Sequence, residues 1–230
     1  MFMNFNPTIK PASDRSILIQ FGSKISAETH QIVAYYTEIL LESYNRYIKT
    51  ISPAYCTILI RLNNDIMINE MVSELKSLLK DPIKLNKTTP QTIKIPVCYE
   101  KEFAPDMDKV MKHTGYSNDE IIEKHTSGEY LVYFIGFSPG FPYIGGMDHT
   151  LTTPRLKTPR KIVPTGSVAI GGSQTGIYPL QSPGGWNIIG RTYLTLFQIE
   201  NINNSLIKIG NKIQFYPITK DEFLLSQNSI

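Results

Sequence analysis

The fold of this chain is decided by residues 134–192, FIGFSPGFPYIGGMDHTLTTPRLKTPRKIVPTGSVAIGGSQTGIYPLQSPGGWNIIGRT. This stretch contains 11 of the chain's 15 glycines and 7 of its 15 prolines. Glycine is needed where the backbone takes positive φ or approaches another group closely, and proline fixes φ and removes a donor. A regular helix is therefore excluded, while the interspersed aromatic and Val/Ile residues argue against disorder. The stretch predicts a packed, turn-rich β structure.

The same stretch is rich in cations and poor in acids. It carries Arg155, Arg160 and Arg191, and its only acid is Asp148. Cationic and amide side chains displayed from well-defined loops are typical of a binding site for a small anionic ligand. A β-barrel whose corners need glycine and proline has the same composition, so composition alone leaves both interpretations open.

Two of these arginines follow prolines, in the repeated tripeptide TPR at 153–155 and 158–160. A stiffened backbone preorganises the guanidinium group for bidentate recognition of a carboxylate or phosphate. A lone surface arginine is usually only solvated, but two on stiff loops favour a binding role. Because Asp148 is the only acid nearby, we expect Arg160 to bind an anion and not to form a structural ion pair.

Composition describes an ordinary globular chain of 230 residues, with 41% hydrophobic and 19% charged residues. A net charge of +3 without a long basic run does not indicate nucleic-acid binding. The first residues lack the pattern of a signal peptide, and no apolar run approaches a membrane span. Cys56 and Cys98 are expected to be buried free thiols. These features predict a cytoplasmic protein with no nucleic-acid or membrane partner.

The first half alternates strand and helix patterns, which predicts a small α/β layer. The predicted strands are 16–21, 54–62 and 91–99, and the predicted helices begin near Ser26 and at Ile68. The polar segment 84–92 predicts a domain boundary, which places one domain at 1–90 and the next at 91–230.

The second half begins with two short predicted helices, 105–113 and 117–125, separated by Gly115. Many short strands with Gly/Pro turns follow, which is typical of a barrel or sandwich. The predicted strands are 129–137, 168–170, 176–180, 186–190 and 195–200, with a hairpin or bent strand at 207–218. Ser117 with Glu120, and Thr219 with Glu222, have the spacing of capping boxes that begin helices.

Two apparent catalytic motifs fail on physical grounds. Residues 136–140, GFSPG, match the nucleophile elbow of serine hydrolases, but the residue after the serine must donate an N–H. Pro139 has none, and the following glycines and prolines prevent the required helix. Residues 171–176, GGSQTG, lack the Lys-Ser/Thr ending of a phosphate-binding P-loop. A phosphate there would bind a backbone nest or nearby arginines.

The four histidines show no metal-ligand spacing, so we expect no metal site. His125 ends a predicted helix, where the helix dipole favours a cation. A helix-terminal histidine and a catalytic histidine are both compatible with that position.

Trp186 follows the tight turn Pro183-Gly184-Gly185 and is expected to be mainly structural, at the mouth of the barrel. The residues that we expect to shape the site without reacting are Pro139, Gly140, Gly172, Gly185 and Trp186.

Residues 136–146 (GFSPGFPYIGG), the two TPR tripeptides and 163–192 (VPTGSVAIGGSQTGIYPLQSPGGWNIIGRT) closely resemble the family of 5-oxoprolinase B subunits. That family also contains KipI-type inhibitors of a sporulation histidine kinase and proteins similar to allophanate hydrolase subunit 1. The resemblance extends to 95–110 (IPVCYEKEFAPDMDKV) and 119–125 (DEIIEKH). It is specific between 93 and 192 and generic before that.

The resemblance implies an α+β protein, with a small N-terminal α/β sandwich domain followed by a C-terminal cyclophilin-like β-barrel that carries the site. It implies an ATP-dependent amidohydrolase (5-oxoprolinase), inactive alone, that converts 5-oxo-L-proline to L-glutamate. The implied partners are the homologous C subunit and the A subunit of 5-oxoprolinase. Magnesium would accompany ATP, although its site is not identifiable in this sequence.

Such chemistry needs cations near the transferring phosphoryl group and a pocket for a small carboxylate. The candidates for substrate or anion binding are Arg155, Arg160, Gln174, Thr175, Tyr178 and Arg191, and the candidates for catalysis are His125 and Arg160. The alternative is a KipI-type inhibitor that binds a sensor histidine kinase, for which an exposed apolar surface matters more than a polar pocket. A prolyl isomerase rests on fold analogy alone, and we discount it.

Overall fold

A computed structural model of the protein describes residues 2–3, 6–80, 83–84, 90–198 and 205–227. The chain forms two compact units, Met1–Thr89 and Pro90–Ile230. Part of the predicted domain boundary, at 85–89, and the end of the predicted strand, at 199–200, lie outside the described residues.

The first unit is an antiparallel four-stranded sheet with two helices. Its elements are β1 (Phe2–Met3), β2 (Thr8–Ser13), β3 (Ser16–Gln20), α1 (Ala27–Ser43), β4 (Ile48–Pro53), β5 (Thr57–Leu62), α2 (Ile68–Leu78) and β6 (Ile83–Lys84). The strand order is β2-β3-β5-β4, and β1 pairs separately with β6. Alternate residues of β5 (Ile58, Ile60 and Leu62) are buried together with Tyr36 and Leu40 of α1. The sequence pattern did not identify β2 or β4, which each contain a proline.

The second unit contains a closed barrel of seven strands. Its elements are β7 (Thr92–Cys98), α3 (Met107–Thr114), α4 (Asn118–Thr126), β8 (Tyr130–Ile135), β9 (Pro142–Gly145), a 3₁₀ turn (His149–Leu151), β10 (Arg160–Val163), β11 (Ser167–Gly171), β12 (Gln174–Ile177), β13 (Ser182–Gly184), β14 (Asn187–Arg191), β15 (Lys212–Ile218) and α5 (Lys220–Gln227). The barrel order is β11-β12-β9-β8-β15-β7-β14, and β10 with β13 forms a separate two-stranded ribbon. The α+β class and the C-terminal barrel are thereby confirmed.

The closure of the barrel depends on pairing between strands far apart in sequence. β15 runs parallel to β7, in register from Lys212 opposite Thr92 to Ile218 opposite Cys98. The strand at 91–99, which the sequence pattern joined to the α/β layer of the first half, therefore belongs to the barrel. Ile95 and Val97 of this strand are fully buried in the barrel core.

Local helix signals were predicted well. Ser117 accepts a hydrogen bond from the N–H of Glu120, whose side chain accepts from the N–H of Ser117, which confirms the first capping box. Thr219 and Glu222 form the second at the start of α5. Gly115 ends α3 with φ of 79°, as expected of a glycine C-cap.

Two predicted strands differ in the structure. Residues 195–198 have no regular strand, although Leu196 is buried in the barrel core. The predicted hairpin at 207–218 is a turn at Gly210 followed by the single strand β15. Both cysteines are buried and free, as expected.

Candidate functional site

The second unit contains a cavity of about 260 Å³ beside a cluster of aromatic residues that is separate from the core inside the barrel. Loops between β8 and β9, between the 3₁₀ turn and β10, and around β13 surround it. The residues that line it are Phe137, Phe141, Tyr143, Arg155, Leu156, Pro159, Tyr178, Pro183, Gly184, Gly185 and Trp186. Of the predicted site residues, the cavity brings together Arg155, Tyr178, Gly185 and Trp186.

Aromatic rings form the walls of the cavity. Phe141 meets Trp186 edge-on with ring centres 5.4 Å apart, and it meets Tyr178 edge-on at 5.1 Å. Tyr143 meets Trp186 edge-on at 5.9 Å. Edge-to-face pairs at these separations are the favoured aromatic geometry, so the walls are mutually supported. Trp186 is buried as part of this cluster, which is separate from the core inside the barrel, and its expected structural role stays a prediction.

Glycines allow these rings to lie directly against the barrel strands. A Cβ atom on Gly171 would overlap the indole of Trp186, and one on Gly184 would overlap the ring of Tyr178. A Cβ on Gly176 would lie 2.9 Å from Phe141. Gly171 and Gly176 of GGSQTG and Gly184 of SPGG therefore make room for an aromatic wall. The segment GGSQTG is a hairpin whose turn contains Gly172 with φ of 65°, and its glycines do not form a phosphate loop.

Arg155 is the one cation among the residues that line the cavity. Its guanidinium carbon lies 5.5 Å from the ring centre of Trp186, within the range of a cation–π contact. Among the described residues, none forms an ion pair or a hydrogen bond with its side chain. The guanidinium therefore remains available to an anion at the cavity.

Arg160 does not line the cavity, and the prediction that it avoids a structural ion pair is wrong. Its Nη2 donates to Oδ1 of Asp106 at 2.7 Å, across 54 residues of sequence. The carboxylate of Asp106 is fully buried, and it also accepts from Lys109 Nζ at 2.8 Å and from the N–H of Ile188 at 2.9 Å. The acid that pairs with Arg160 comes from a distant segment, so counting local acids could not find it.

The electrostatics of Asp106 favour its charged form. Burial acts to raise the pKa of this carboxyl group, but the hydrogen bonds from Arg160, Lys109 and the N–H of Ile188 together hold it below its usual value. Arg160 Nη1 is buried and has no hydrogen-bond partner among the described residues. The ion pair of Arg160 and Asp106 links the start of β10 to the residue before α3. It thereby holds the loop of Pro159, which lines the cavity.

Tyr178 places a hydroxyl group against the cavity wall. Burial raises its pKa, although the backbone N–H of Trp186 and the nearby charge of Arg155 act to lower it. The hydroxyl therefore stays protonated at neutral pH. The protonated hydroxyl can donate a hydrogen bond to a ligand.

His125 lies inside the barrel core and not at the cavity. It is fully buried, and its ring packs beside Phe215 with centres 4.5 Å apart. Thr175 donates its hydroxyl to the carbonyl of Ala169, so its oxygen accepts from His125 Nε2 at 2.9 Å. The other nitrogen, Nδ1, then accepts from the hydroxyl of Tyr99 at 2.8 Å.

Burial lowers the pKa of His125 to about 3, so the ring is neutral under ordinary conditions. Both ring nitrogens are occupied and no surface of the side chain reaches solvent. This geometry argues against the predicted catalytic role of His125 and against the predicted anion contact of Thr175, because both side chains are buried and hydrogen-bonded to each other. The sequence showed only that the histidine ends a helix.

The remaining predicted ligand residues lie apart from the cavity. Arg191 on β14 donates from Nε to the carbonyl of Thr165 at 2.8 Å, and burial lowers its pKa. Gln174 is half-buried beside the hairpin turn. Gly140, with φ of 77°, lies against Phe197, where a Cβ atom would come within 2.5 Å, and Pro139 is exposed beside it.

Seven of the eleven residues that line the cavity were not predicted as site residues, and three of the seven are aromatic. These three are Phe137, Phe141 and Tyr143, which lie four and two residues apart in GFSPGFPY, and this concentration of aromatic residues in a short segment after a strand was the signal available. No cluster of three or more His, Cys, Asp or Glu side chains suited to a metal occurs in the described ranges. Within the same part of the chain, every helix is too short or too polar to span a bilayer.

Comparison with known proteins identifies relatives along most of the chain. The profile of the carboxyltransferase domain family, subdomain C and D, matches residues 7–207. The B subunit of 5-oxoprolinase from Bacillus subtilis (strain 168) is 34% identical over 233 residues, and the match covers 94% of each chain. A structure of an uncharacterized protein from Pyrococcus horikoshii is 38% identical with a TM-score of 0.57, over 94% of this chain and all of that one.

A more distant likeness shows the fold alone. The structure of urea carboxylase from Kluyveromyces lactis matches the whole of this chain with a TM-score of 0.76 at 17% identity. The chain spans 24% of the length of that protein.

Proposed function

The chain belongs to the family of 5-oxoprolinase B subunits and to the carboxyltransferase domain, subdomain C and D, and on this premise we propose that it is one subunit of an ATP-dependent 5-oxoprolinase. It would act with the homologous C subunit and with the A subunit. The complex would open 5-oxo-L-proline with water to give L-glutamate while ATP is hydrolysed.

The observation that carries this proposal is the aromatic cavity with the guanidinium of Arg155, which has no ion-pair partner among the described residues. Its volume of about 260 Å³ is below the roughly 300–1,000 Å³ of sites for drug-sized ligands, and so suits a small metabolite. A compact ring would pack between Phe141 and Trp186, and a carboxylate on that ring would pair with Arg155. The hydroxyl of Tyr178 would donate to an oxygen of the ligand. 5-Oxoproline has each of these features.

ATP fits this cavity poorly. The lining is mostly aromatic and contains one cation. Among the described residues, no cluster of carboxylates is suited to bind magnesium. Two of the glycines that resemble a phosphate loop, Gly171 and Gly176, instead lie against Trp186 and Phe141. We therefore assign the lactam and its carboxylate to this chain and the nucleotide to its partners.

The need for ATP follows from the chemistry of the substrate. A five-membered lactam is a poor electrophile, because its amide is stabilised by resonance. Transfer of a phosphoryl group to the amide oxygen would give an imidate-like species that water can attack. The carboxylate lies away from the reacting amide, so Arg155 would bind the substrate equally in the ground state and the transition state.

The test is steady-state turnover of 5-oxoproline by the complex reconstituted from all three subunits. Arg155→Gln should raise KM by about tenfold to a hundredfold, the effect of losing a charge-assisted hydrogen bond, with kcat little changed. Lys157→Gln is the matched control, because Lys157 is an exposed cation on the same loop that does not line the cavity.

Two results would contradict the proposal. One is a complex that shows no ATP-dependent turnover of 5-oxoproline. The other is an Arg155→Gln variant with the same KM as Lys157→Gln, which would mean that the carboxylate binds elsewhere.

A further inference from the structure

Phe137 has a strained backbone at the rim of the cavity. Its φ is 68°, and it is the only non-glycine residue with positive φ in the described part of the chain. The N–H of Ser138 donates to the carbonyl of Gly136 at 2.8 Å, which makes Phe137 the centre of a γ-turn. A γ-turn with positive φ is the rare, strained form, and a bulky residue there is a marked outlier.

The surrounding loop holds this turn in place. The N–H of Gly136 donates to the carbonyl of Phe141 at 3.0 Å, and the N–H of Phe141 donates to the carbonyl of Ser138 at 3.1 Å. Pro139 restricts the backbone of Ser138, and Gly140 lies against the side chain of Phe197. Phe137 is therefore a fixed feature of the cavity wall.

The ring of Phe137 remains largely uncovered by the protein. The residue is 65% exposed, yet the ring lies edge-on to Phe141 at 5.5 Å and to Tyr178 at 6.5 Å. An exposed aromatic side chain on a strained backbone gains little from the contacts of its own fold. Strain of this kind is kept where the surrounding structure imposes it, and it clusters at ligand-binding sites.

We propose that Phe137 is a specificity-determining residue, whose ring covers one face of a small cyclic carboxylate held in the cavity. This inference rests on the proposed function and adds the origin of its selectivity. The apolar ring face of the ligand buries the exposed face of Phe137, whereas an open-chain carboxylate leaves that face of Phe137 exposed to water. Phe137 thus favours 5-oxoproline over its product, glutamate.

The experiment uses Trp186, the only tryptophan of the chain, as a reporter in the cavity wall. Fluorescence titrations of the full chain with 5-oxo-L-proline, L-proline and L-glutamate give Kd values for wild type and for Phe137→Gly. Glycine accepts positive φ, so this variant removes the ring without adding strain. Ile162→Ala is the matched control, because Ile162 is an apolar residue 61% exposed that does not line the cavity.

We expect Phe137→Gly to melt at or above the wild-type temperature and to bind the two cyclic ligands about tenfold more weakly. Its Kd for glutamate should stay unchanged. In the reconstituted complex, the same variant should raise KM for 5-oxoproline with little change in kcat. Ile162→Ala should resemble wild type in each measurement.

Several outcomes would overturn the inference. Equal affinities of wild type and Phe137→Gly for the cyclic ligands would do so, as would a fluorescence signal that none of the three ligands changes. A large loss of melting temperature would show that the ring holds the fold, and loss of complex formation at unchanged affinity would place it in a protein interface. Turnover of 5-oxoproline by the wild-type complex tests the proposed function separately. If the wild-type complex is active and Phe137→Gly leaves KM unchanged, only the inference about Phe137 is contradicted.

Discussion

Asp106 illustrates how much the role of a single residue depends on distant segments. In sequence it is an ordinary acid near the start of a predicted helix. In the structure it is a buried carboxylate that accepts hydrogen bonds from Arg160, Lys109 and the N–H of Ile188. A buried charge is tolerated only when its partners satisfy it. Arg160 was expected to bind a ligand, and its observed pairing makes it a support of the cavity.

Removing the charge of Asp106 should therefore destabilise the protein. We expect Asp106→Asn to lower the free energy of unfolding by roughly 3–5 kcal/mol, because the guanidinium of Arg160 loses its buried counter-ion. Urea denaturation at pH 7 measures this change. Asp108→Asn is the control, since Asp108 is exposed on the same helix. Equal midpoints for the two variants would show that the buried pair contributes nothing.

Acid should also destabilise the protein, through His125. The pKa of this histidine is about 3 in the folded state and about 6.5 when unfolded. Below pH 6.5 His125 binds a proton in the unfolded chain but stays neutral in the folded chain. Stability present at neutral pH is therefore lost as the pH falls toward 3. The expected slope is about 1.4 kcal/mol per pH unit.

The measurement is the free energy of unfolding between about pH 7 and pH 4.5, within the window that the two pKa values define, for wild type, His125→Gln and His113→Gln. The slope should decrease in His125→Gln and remain in His113→Gln, because His113 is exposed. If all three proteins lose stability in parallel, other groups cause the acid sensitivity.

At the scale of elements, the hairpin of β11 and β12 forms a platform for the aromatic wall. Gly171 lies in the strand under the indole of Trp186, whereas Gly172 lies in the turn with open space where its Cβ would be. The two neighbouring glycines are therefore needed for different reasons. Gly171 provides room for a ring, and Gly172 provides positive φ.

Alanine substitutions at Gly171 and Gly172 should distinguish the need for space from the need for positive φ. We expect Gly171→Ala to lower stability by about 1–3 kcal/mol through overpacking and to shift the fluorescence of Trp186. Gly172→Ala should cost about 1–2 kcal/mol through backbone strain and leave the fluorescence unchanged. Thermal melts followed by tryptophan emission give both quantities. An unshifted emission spectrum in Gly171→Ala would contradict the assigned packing.

At the scale of the molecule, the cavity lacks the groups that ATP-dependent chemistry requires. It offers Arg155, Tyr178 and aromatic surfaces, but the described residues provide neither a magnesium-binding carboxylate cluster nor a general base at the cavity. We expect the purified chain to show no ATP-dependent hydrolysis of 5-oxoproline until its partner subunits are added. Turnover by the chain alone, proportional to its concentration, would refute this expectation.

Local sequence determined the features that depend on neighbouring residues. The capping boxes at Ser117 and Thr219, the helix end at Gly115 and the rejection of a serine nucleophile before Pro139 all follow from interactions within a few residues. The Gly/Pro-rich stretch likewise predicted a packed, turn-rich β structure, because strand, turn and backbone preferences are local properties.

Only the tertiary structure decided which side chains form the site. β7 joins the barrel because β15, far later in the chain, pairs with it. Arg160 faces Asp106 across 54 residues, and His125 is enclosed by Tyr99 and Thr175, so neither reaches the cavity. Arg155 has the same preceding proline as Arg160, yet it alone keeps a guanidinium at the cavity without an acidic partner among the described residues. The sequence could name the cations, but burial and long-range pairing decided which of them remains available to a ligand.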